Sequence, residues 1–496
     1  MWEELKSLFK HSTIYSVSGV LGKGVGFLMI PFYTHFLTPA DYGTLELLDL
    51  SVMLFGLVIT MWMNASIIRY YYEYDDVKHR NEVVSTVLLM ATLLGVVSAS
   101  LGIIFGKQLS IFILKSPSFY KYFWLLSITF FFSSLNGVSL AYMRARQRSL
   151  WVAGVDVVSL ILSLGLNIYF IAILKTGVIG ILYSSLATIS LSATVLTVAI
   201  LREVKLGFDL EKLKALAIFG APLVVTSFSA FALNFSDRFF LQRFTNVSTV
   251  GIYALGYKFG FMMSFLVVQP FDMIWSARMY QIAKKPNGAE LFSRIFRYYC
   301  LALVGIALGL SLIIKEVIAV MSAPAFHSAY RVVPVVALAY IFQGVYRYVI
   351  SGMYIAKKTA RVGGISLATV GVNFLFNYLL IPRYQGLGAA WATALSFLFM
   401  AGLAYVASQH AHPIPYRLSS LFVPVTLAAL LYLGSTRVEI SSLLLSATAK
   451  ASFFVLFPVV LYLVGFLHRS EVDRAREAAY SLWTRFGWGT AAAPER

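Results

Sequence analysis

The residues best able to do chemistry in this chain of 496 are charges placed where charges are costly. Lys23, Asp49, Lys258 and Arg347 each lie inside a long apolar run, and Asp237-Arg238 stands near the end of another. An ionised side chain at the middle of a bilayer costs at least ~2.5–3.5 kcal/mol, so each is a candidate for binding, gating or coupling. Lys23 is the sharpest. Roughly eleven residues into its run, at ~1.5 Å each, it falls near mid-depth, beyond easy snorkelling. Gly19 and Gly26 share its helical face and clear space around the ammonium. It either faces a cavity that takes an anion or holds a structural ion pair. Arg347, between Tyr346 and Tyr348, either faces the same cavity or snorkels to the interface.

Chemistry of other kinds finds no support. There is no Gly-x-x-x-x-Gly-Lys-Ser/Thr for nucleotide phosphates. The seven histidines (11, 35, 79, 327, 410, 412 and 468) sit at run ends or in loops, and His410-Ala411-His412 reads as a solvated loop. No Ser/His/Asp set is argued for by spacing. The single cysteine, Cys300, excludes an intramolecular disulfide and reads as a packing residue. The expectation is a protein that is not an enzyme and needs no metal.

The elements that must position these charges are membrane helices. Hydrophobic residues make up 59% of the chain, charged residues 12%, and the mean hydropathy is +0.78. Ordinary soluble domains carry ~25% charged residues. The apolar runs recur at roughly 20 residues, enough to cross ~30 Å of hydrocarbon as helix. Fourteen spans are expected, near 12–36, 43–68, 82–106, 119–143, 150–173, 177–201, 215–242, 249–275, 293–314, 331–355, 361–381, 385–408, 417–434 and 451–468. The first is too long, and too bulky at Pro31-Phe32-Tyr33, for a cleaved signal peptide.

The formal charge of +18 follows the topology. Alternate loops are basic, as at Arg144, Arg146 and Arg148, at Arg202 and Lys205, and at Lys357, Lys358 and Arg361. The positive-inside rule then puts both termini in the cytoplasm, and the distribution argues against a nucleic-acid partner.

The sequence also repeats itself. Phe36 matches Phe244, Thr38 matches Thr245, Gly43 matches Gly251 and Arg69 matches Arg278, at offsets of 207 to 209. Asn136-Gly137-Val138 matches Gln343-Gly344-Val345, and 167–177 matches 377–386, at similar offsets. Six spans separate the copies, so the copies run parallel. The expected fold is all-α, with two six-helix lobes related by a pseudo-twofold axis along the membrane normal. The boundaries are 1–208 and 209–410 for the lobes, 411–468 for two additional helices, and 469–496 for a cytoplasmic tail.

In this frame Asp49 maps onto Tyr257, one residue before Lys258, so the two charges could bind, gate or pair across a cleft. Asp237 and Arg238 diverge by ~100° on a helix, which favours a structural contact and leaves coupling or gating as the other reading. Asp156 and Asp272 lie nearer the span ends, where capping or loop pairing suffices. Pro31, Pro222 and Pro270 fall inside spans and either bend between two states or make static kinks.

The run Ile30-Pro31-Phe32-Tyr33-Thr34-His35-Phe36-Leu37-Thr38-Pro39-Ala40-Asp41-Tyr42-Gly43 resembles a known family. So do Ser236-Asp237-Arg238-Phe239-Phe240-Leu241, Gly251-Ile252-Tyr253, Asn377-Tyr378-Leu379-Leu380-Ile381-Pro382 and Gly386-Leu387-Gly388-Ala389-Ala390. The family is that of the Wzx-type polysaccharide flippases of the multidrug/oligosaccharidyl-lipid/polysaccharide (MOP) superfamily, and the resemblance covers about residues 5 to 465. It implies lobes around a cationic cavity that alternate between inward- and outward-open states. The implied cargo is a polyprenyl-diphosphate-linked glycan crossing the bacterial inner membrane for O-antigen, capsule or exopolysaccharide synthesis. It further implies a proton or sodium gradient in place of a cofactor, contact with membrane lipid, and polymerase or assembly proteins as partners. A flippase for the peptidoglycan precursor shares the diphosphate and is a close alternative. A multidrug exporter would favour an acidic cavity. A membrane glycosyltransferase or polymerase would need a larger outer loop than the dozen or so residues around 107–119.

Overall fold

The computed structural model describes residues 24–438 and 442–467, with 469, 471 and 473. Lys23, the first expected binding residue, lies outside them. The described chain is helical, with no strand. Its helices are α1 (Ile30–Phe36), α2 (Pro39–Ile59), α3 (Met61–Tyr71), α4 (Val77–Ile104), α5 (Gly106–Leu114), α6 (Tyr120–Ala145), α7 (Ser149–Ile168), α8 (Val178–Leu201) and α9 (Leu210–Phe244). There follow α10 (Val247–Met263), α11 (Gln269–Ala283), α12 (Gly288–Met321), α13 (Val333–Val349), α14 (Ser351–Ile355), α15 (Thr359–Ala411), α16 (Ser419–Ser435) and α17 (Leu443–Leu463).

Among the described residues, ten helical stretches are long and apolar enough to cross a membrane. The difference from the fourteen expected spans has identifiable sources. α15 is 53 residues long but breaks at Gln385 (φ 51°, ψ −127°), so it takes up two of the expected spans. α16 and the Thr448–Leu463 part of α17 are shorter apolar helices. About half of the first expected span, residues 12–23, lies outside the described chain.

The repeat has structural counterparts. Thr38 caps α2: its hydroxyl accepts from the Asp41 amide at 3.2 Å, and the Asp41 carboxylate accepts from the Thr38 amide at 3.0 Å. Asn246, 208 residues on, caps α10 by accepting from the Thr249 amide at 2.9 Å. The equivalent of Thr38 is thus Asn246, one residue beyond the sequence match to Thr245. Gly177 (φ 65°, ψ −139°) and Gln385 (φ 51°, ψ −127°), also 208 apart, make the same left-handed bend.

The two copies touch through these helices. A Cβ on Gly43 would lie 2.0 Å from the carbonyl oxygen of Val247 and 2.8 Å from the amide nitrogen of Gly251. A Cβ on Gly251 would lie 2.0 Å from the carbonyl oxygen of Pro39 and 2.8 Å from the amide nitrogen of Gly43. Pro39 and Val247 are themselves 208 apart, so the contact is reciprocal, as a local twofold requires. Only glycine permits backbones to approach this closely. The contact seals the end of the bundle opposite the basic loops. There the Thr34 hydroxyl also accepts from the Ala323 amide at 3.3 Å, and the Tyr42 and Phe326 rings meet edge to face at 5.6 Å. Toward the basic end, α11 packs against α12 and α14 of its own copy. α11 makes no comparable packing on α3, its counterpart in the first copy, so these two helices part toward the basic end and leave a cleft between them.

α9 belongs to both copies. Near its start Ser66 donates to the Leu216 carbonyl at 3.0 Å, Tyr70 donates to the Ala215 carbonyl at 3.2 Å, and Lys212 pairs with Glu82. Near its end Ser236 donates to Asn373 on α15 at 3.2 Å. Pro222 lies within it without ending it, while Pro270 opens α11 directly after a π-helical turn at Ser264–Val268, where its missing N–H is no loss. α16 and α17 pack on α12, where Lys450 donates to Glu316 at 2.5 Å and Ser446 donates to it at 2.7 Å. In the basic loops, burial opposes the Glu203 charge, but the 2.6 Å bond from Arg148, with Tyr142 and Arg146 nearby, holds that carboxyl below the usual range.

Candidate functional site

The expected charges separate into three environments. The first is the roof of the cleft. Tyr42, Glu46 and Asp49 recur at i, i+4 and i+7 along α2, so they share one face. Lys258 on α10 approaches that face from the other copy. Its ammonium donates to the Tyr42 hydroxyl at 2.9 Å, lies 4.7 Å from the Tyr42 ring centre, and stands 3.5 Å from Glu46 Oε2. The Lys258 side chain keeps 48% of its exposure while Glu46 keeps 12%. The Lys258 side chain therefore stays accessible while its counter-ion is largely buried.

The sequence leaves Asp49 and Lys258 free to bind, gate or pair; in the structure Glu46 takes the salt-bridge position on Lys258. The signal was present in the spacing of Tyr42, Glu46 and Asp49, which sets both acids on one face. Asp49 instead opens into a cavity of about 420 Å³ within the first copy, with Tyr33, Asn136, Asp156, Asn167 and Ser192 in its wall. Asn167 donates to the Tyr33 hydroxyl at 3.1 Å, and Asn136 accepts from Ser192 at 2.7 Å. Asp156, expected at a span end, contributes to this polar wall.

The second environment is a buried belt in the second copy. Arg238 is 1% exposed and Asp237 2%, and they bond at 2.7 Å. The guanidinium also lies 3.8 Å above the Tyr257 ring and donates to the Asn234 carbonyl at 2.6 Å. Tyr253 donates to the second Asp237 oxygen, Tyr257 and Tyr340 bond at 2.8 Å, and Tyr340 donates to Asn234 at 3.0 Å. Asn377 donates to Asn373 at 2.9 Å, and Asn373 to Ser396 at 3.2 Å. Neighbours on one helix thus close on each other despite diverging along it, because the long Arg238 stem folds back. The one bond that reaches out of the belt is loose: Arg238 Nε lies 3.7 Å from Glu46 Oε1.

The third is Arg347 on α13, half exposed, with Asp272 of α11 at 3.6 Å. Asp272 was read as a capping or loop residue and is instead its counter-ion. Of the expected cations among the described residues, two are partly exposed: Lys258 at the roof and Arg347 toward the basic end. Each sits beside an acid at a distance too long for a tight charge-assisted bond, which is ~2.7–2.9 Å.

Residues 33–329 match the family described as polysaccharide biosynthesis protein. The chain belongs to that family. A curated relative, the Lsg locus putative protein 1 of Haemophilus influenzae, is 25% identical over 262 residues, covering 52% of this chain. The match spans 63% of that relative's length. Among solved structures, lipid II flippase MurJ in an inward closed conformation aligns with a TM-score of 0.74 at 12% identity, over 92% of this chain and 100% of that one. An inward-facing multidrug resistance MATE family transporter of the MOP superfamily aligns with a TM-score of 0.59 at 14% identity, over 81% of this chain and 97% of that one. These likenesses show the fold. The polysaccharide biosynthesis family member is a multi-pass membrane protein of the MOP fold, as the Wzx resemblance implied.

Proposed function

We propose that this protein flips a polyprenyl-diphosphate-linked oligosaccharide across the bacterial inner membrane by alternating access, with both termini in the cytoplasm. The observation that carries the reading is Lys258, held half exposed at the closed roof of a cleft that widens toward the basic loops. A lipid diphosphate must take its negative charge through ~30 Å of low dielectric, and a cation in a wet cleft offsets that cost while the lipid tail stays in the bilayer. Lys23 and Arg347 are read as further contacts for the same anion, and Asp49 as the acid that couples transport to a proton or sodium gradient. Asp237 and Arg238 serve as the rigid support behind Lys258. Downstream polymerase or assembly proteins would receive the glycan.

The test begins with deletion of the gene, which should leave one lipid-linked glycan on the cytoplasmic face. Complementation with Lys258→Ala or Lys23→Ala should restore less than a tenth of the exported polymer at normal protein level, and Lys→Arg at either site should retain part. Asp49→Asn should bind cargo yet lose its dependence on the gradient. Wild-type export by Lys258→Ala would remove the anion reading. For topology, a reporter fused after Lys358 should read cytoplasm and one near Ser116 the outside; a periplasmic signal at Lys358 would overturn the orientation.

A further inference from the structure

The ion pairs around Lys258 differ in quality, and the difference has a direction. Asp237 and Arg238, both on α9 of the second copy, are joined at 2.7 Å. Glu46, on α2 of the first copy, reaches Lys258 at 3.5 Å and Arg238 at 3.7 Å, and makes a tight bond to neither. Glu46 is therefore the loose anion of the cluster, and it is also the one that ties the copies together. It stands one turn along α2 from Gly43, just inside the reciprocal glycine contact that closes the roof. Its hold on Lys258 is shared with the Tyr42 hydroxyl from the same helix, so both bonds run from first copy to second.

We propose that Glu46 is a resident anion which occupies Lys258 until a phosphate of the cargo displaces it, so that loading the cleft and unlatching its roof are one event. Resting on the flippase reading, this adds what makes the roof open. A phosphate offers an ammonium shorter and more numerous contacts than a carboxylate held at 3.5 Å. Once Lys258 turns to the phosphate, α2 loses both of its bonds to Lys258 and keeps across the copies only the 3.7 Å contact of Glu46 with Arg238 beside the reciprocal glycine contact. Release on the far side frees Lys258, and Glu46 closes the roof again. Each ligand thus biases one of two states by its differential contacts, as a coupling between site and gate requires.

The experiment measures the distance between spin labels on Lys121→Cys, at the α6 start, and Ser328→Cys, in the Pro324–Arg331 turn, both exposed and at the roof end. Cys300 is fully buried and is left in place. In nanodiscs without cargo, Glu46→Gln should raise the ratio of long to short distances about tenfold, within the usual range of such couplings. Lys258→Met should give the same shift, and the double variant no more than either single. Undecaprenyl diphosphate should produce the shift in the wild type, undecaprenol should not, and undecaprenyl diphosphate should add nothing to Glu46→Gln. An unchanged distribution in Glu46→Gln and Lys258→Met would overturn the latch. A shift in both variants with no response to the diphosphate would leave the latch standing and defeat the cargo assignment. Should Glu46→Gln fail to accumulate, Lys258→Met and the two lipids alone decide.

Discussion

Gly43→Val is expected to abolish export while leaving the protein in the membrane. The added Cβ alone would lie 2.0 Å from a backbone carbonyl oxygen on α10, and a backbone atom cannot swing aside as a side chain can. α2 and α10 would have to separate along the whole roof, and Tyr42 and Glu46 would move away from Lys258. Gly251→Val should do the same, because the reciprocal distance to Pro39 is equal. Even alanine at either site should lower surface polymer more than tenfold, and the Lys121/Ser328 label pair should read a roof held apart. Complementation of a deletion strain, with membrane levels checked by blot, measures the first. Normal export by Gly43→Ala would mean that the roof contact is not part of the cycle.

Asp237→Ala should act on stability instead. It strips Arg238, 1% exposed, of its 2.7 Å partner and Tyr253 of its acceptor. Removing one half of a buried pair costs about 3–5 kcal/mol, most of it the charge left behind. That is a large share of the ~5–15 kcal/mol by which folded domains are held. Thermal unfolding of the purified protein should shift sharply down, and yield should fall. Asp237→Ala with Arg238→Met should recover much of the loss, since the stranded charge is gone. A normal unfolding temperature for Asp237→Ala alone would show that the guanidinium finds water or another partner.

The helical class and the family could be read from residues because hydropathy and local motifs act one segment at a time. The glycine match at 43 and 251 was visible as a spacing, though its meaning was not: identity at an offset says nothing of which pairs touch. For the same reason the sequence leaves open which acid pairs with Lys258. Asp49 stands out by its depth in an apolar run, while Glu46, a turn nearer the helix start, is not singled out by depth alone. Which acid meets Lys258 depends on how α2 and α10 cross, and that crossing is fixed by backbone contact at the two glycines. Asp272 was likewise read by its place along the chain, whereas α11 carries it beneath Arg347.

The shared bend at Gly177 and Gln385 bears on how such halves should be compared. A left-handed backbone is easy for glycine and strained for glutamine, yet the chain turns the same way at both. The shape has outlived the residue that suits it. Letter-by-letter matching slides to the nearby Gly386 and puts the hairpin out of step by one. Superposing dihedral angles keeps the register, and in chains whose two copies have drifted further apart, the angles will preserve the memory of the doubling longer than the alphabet does.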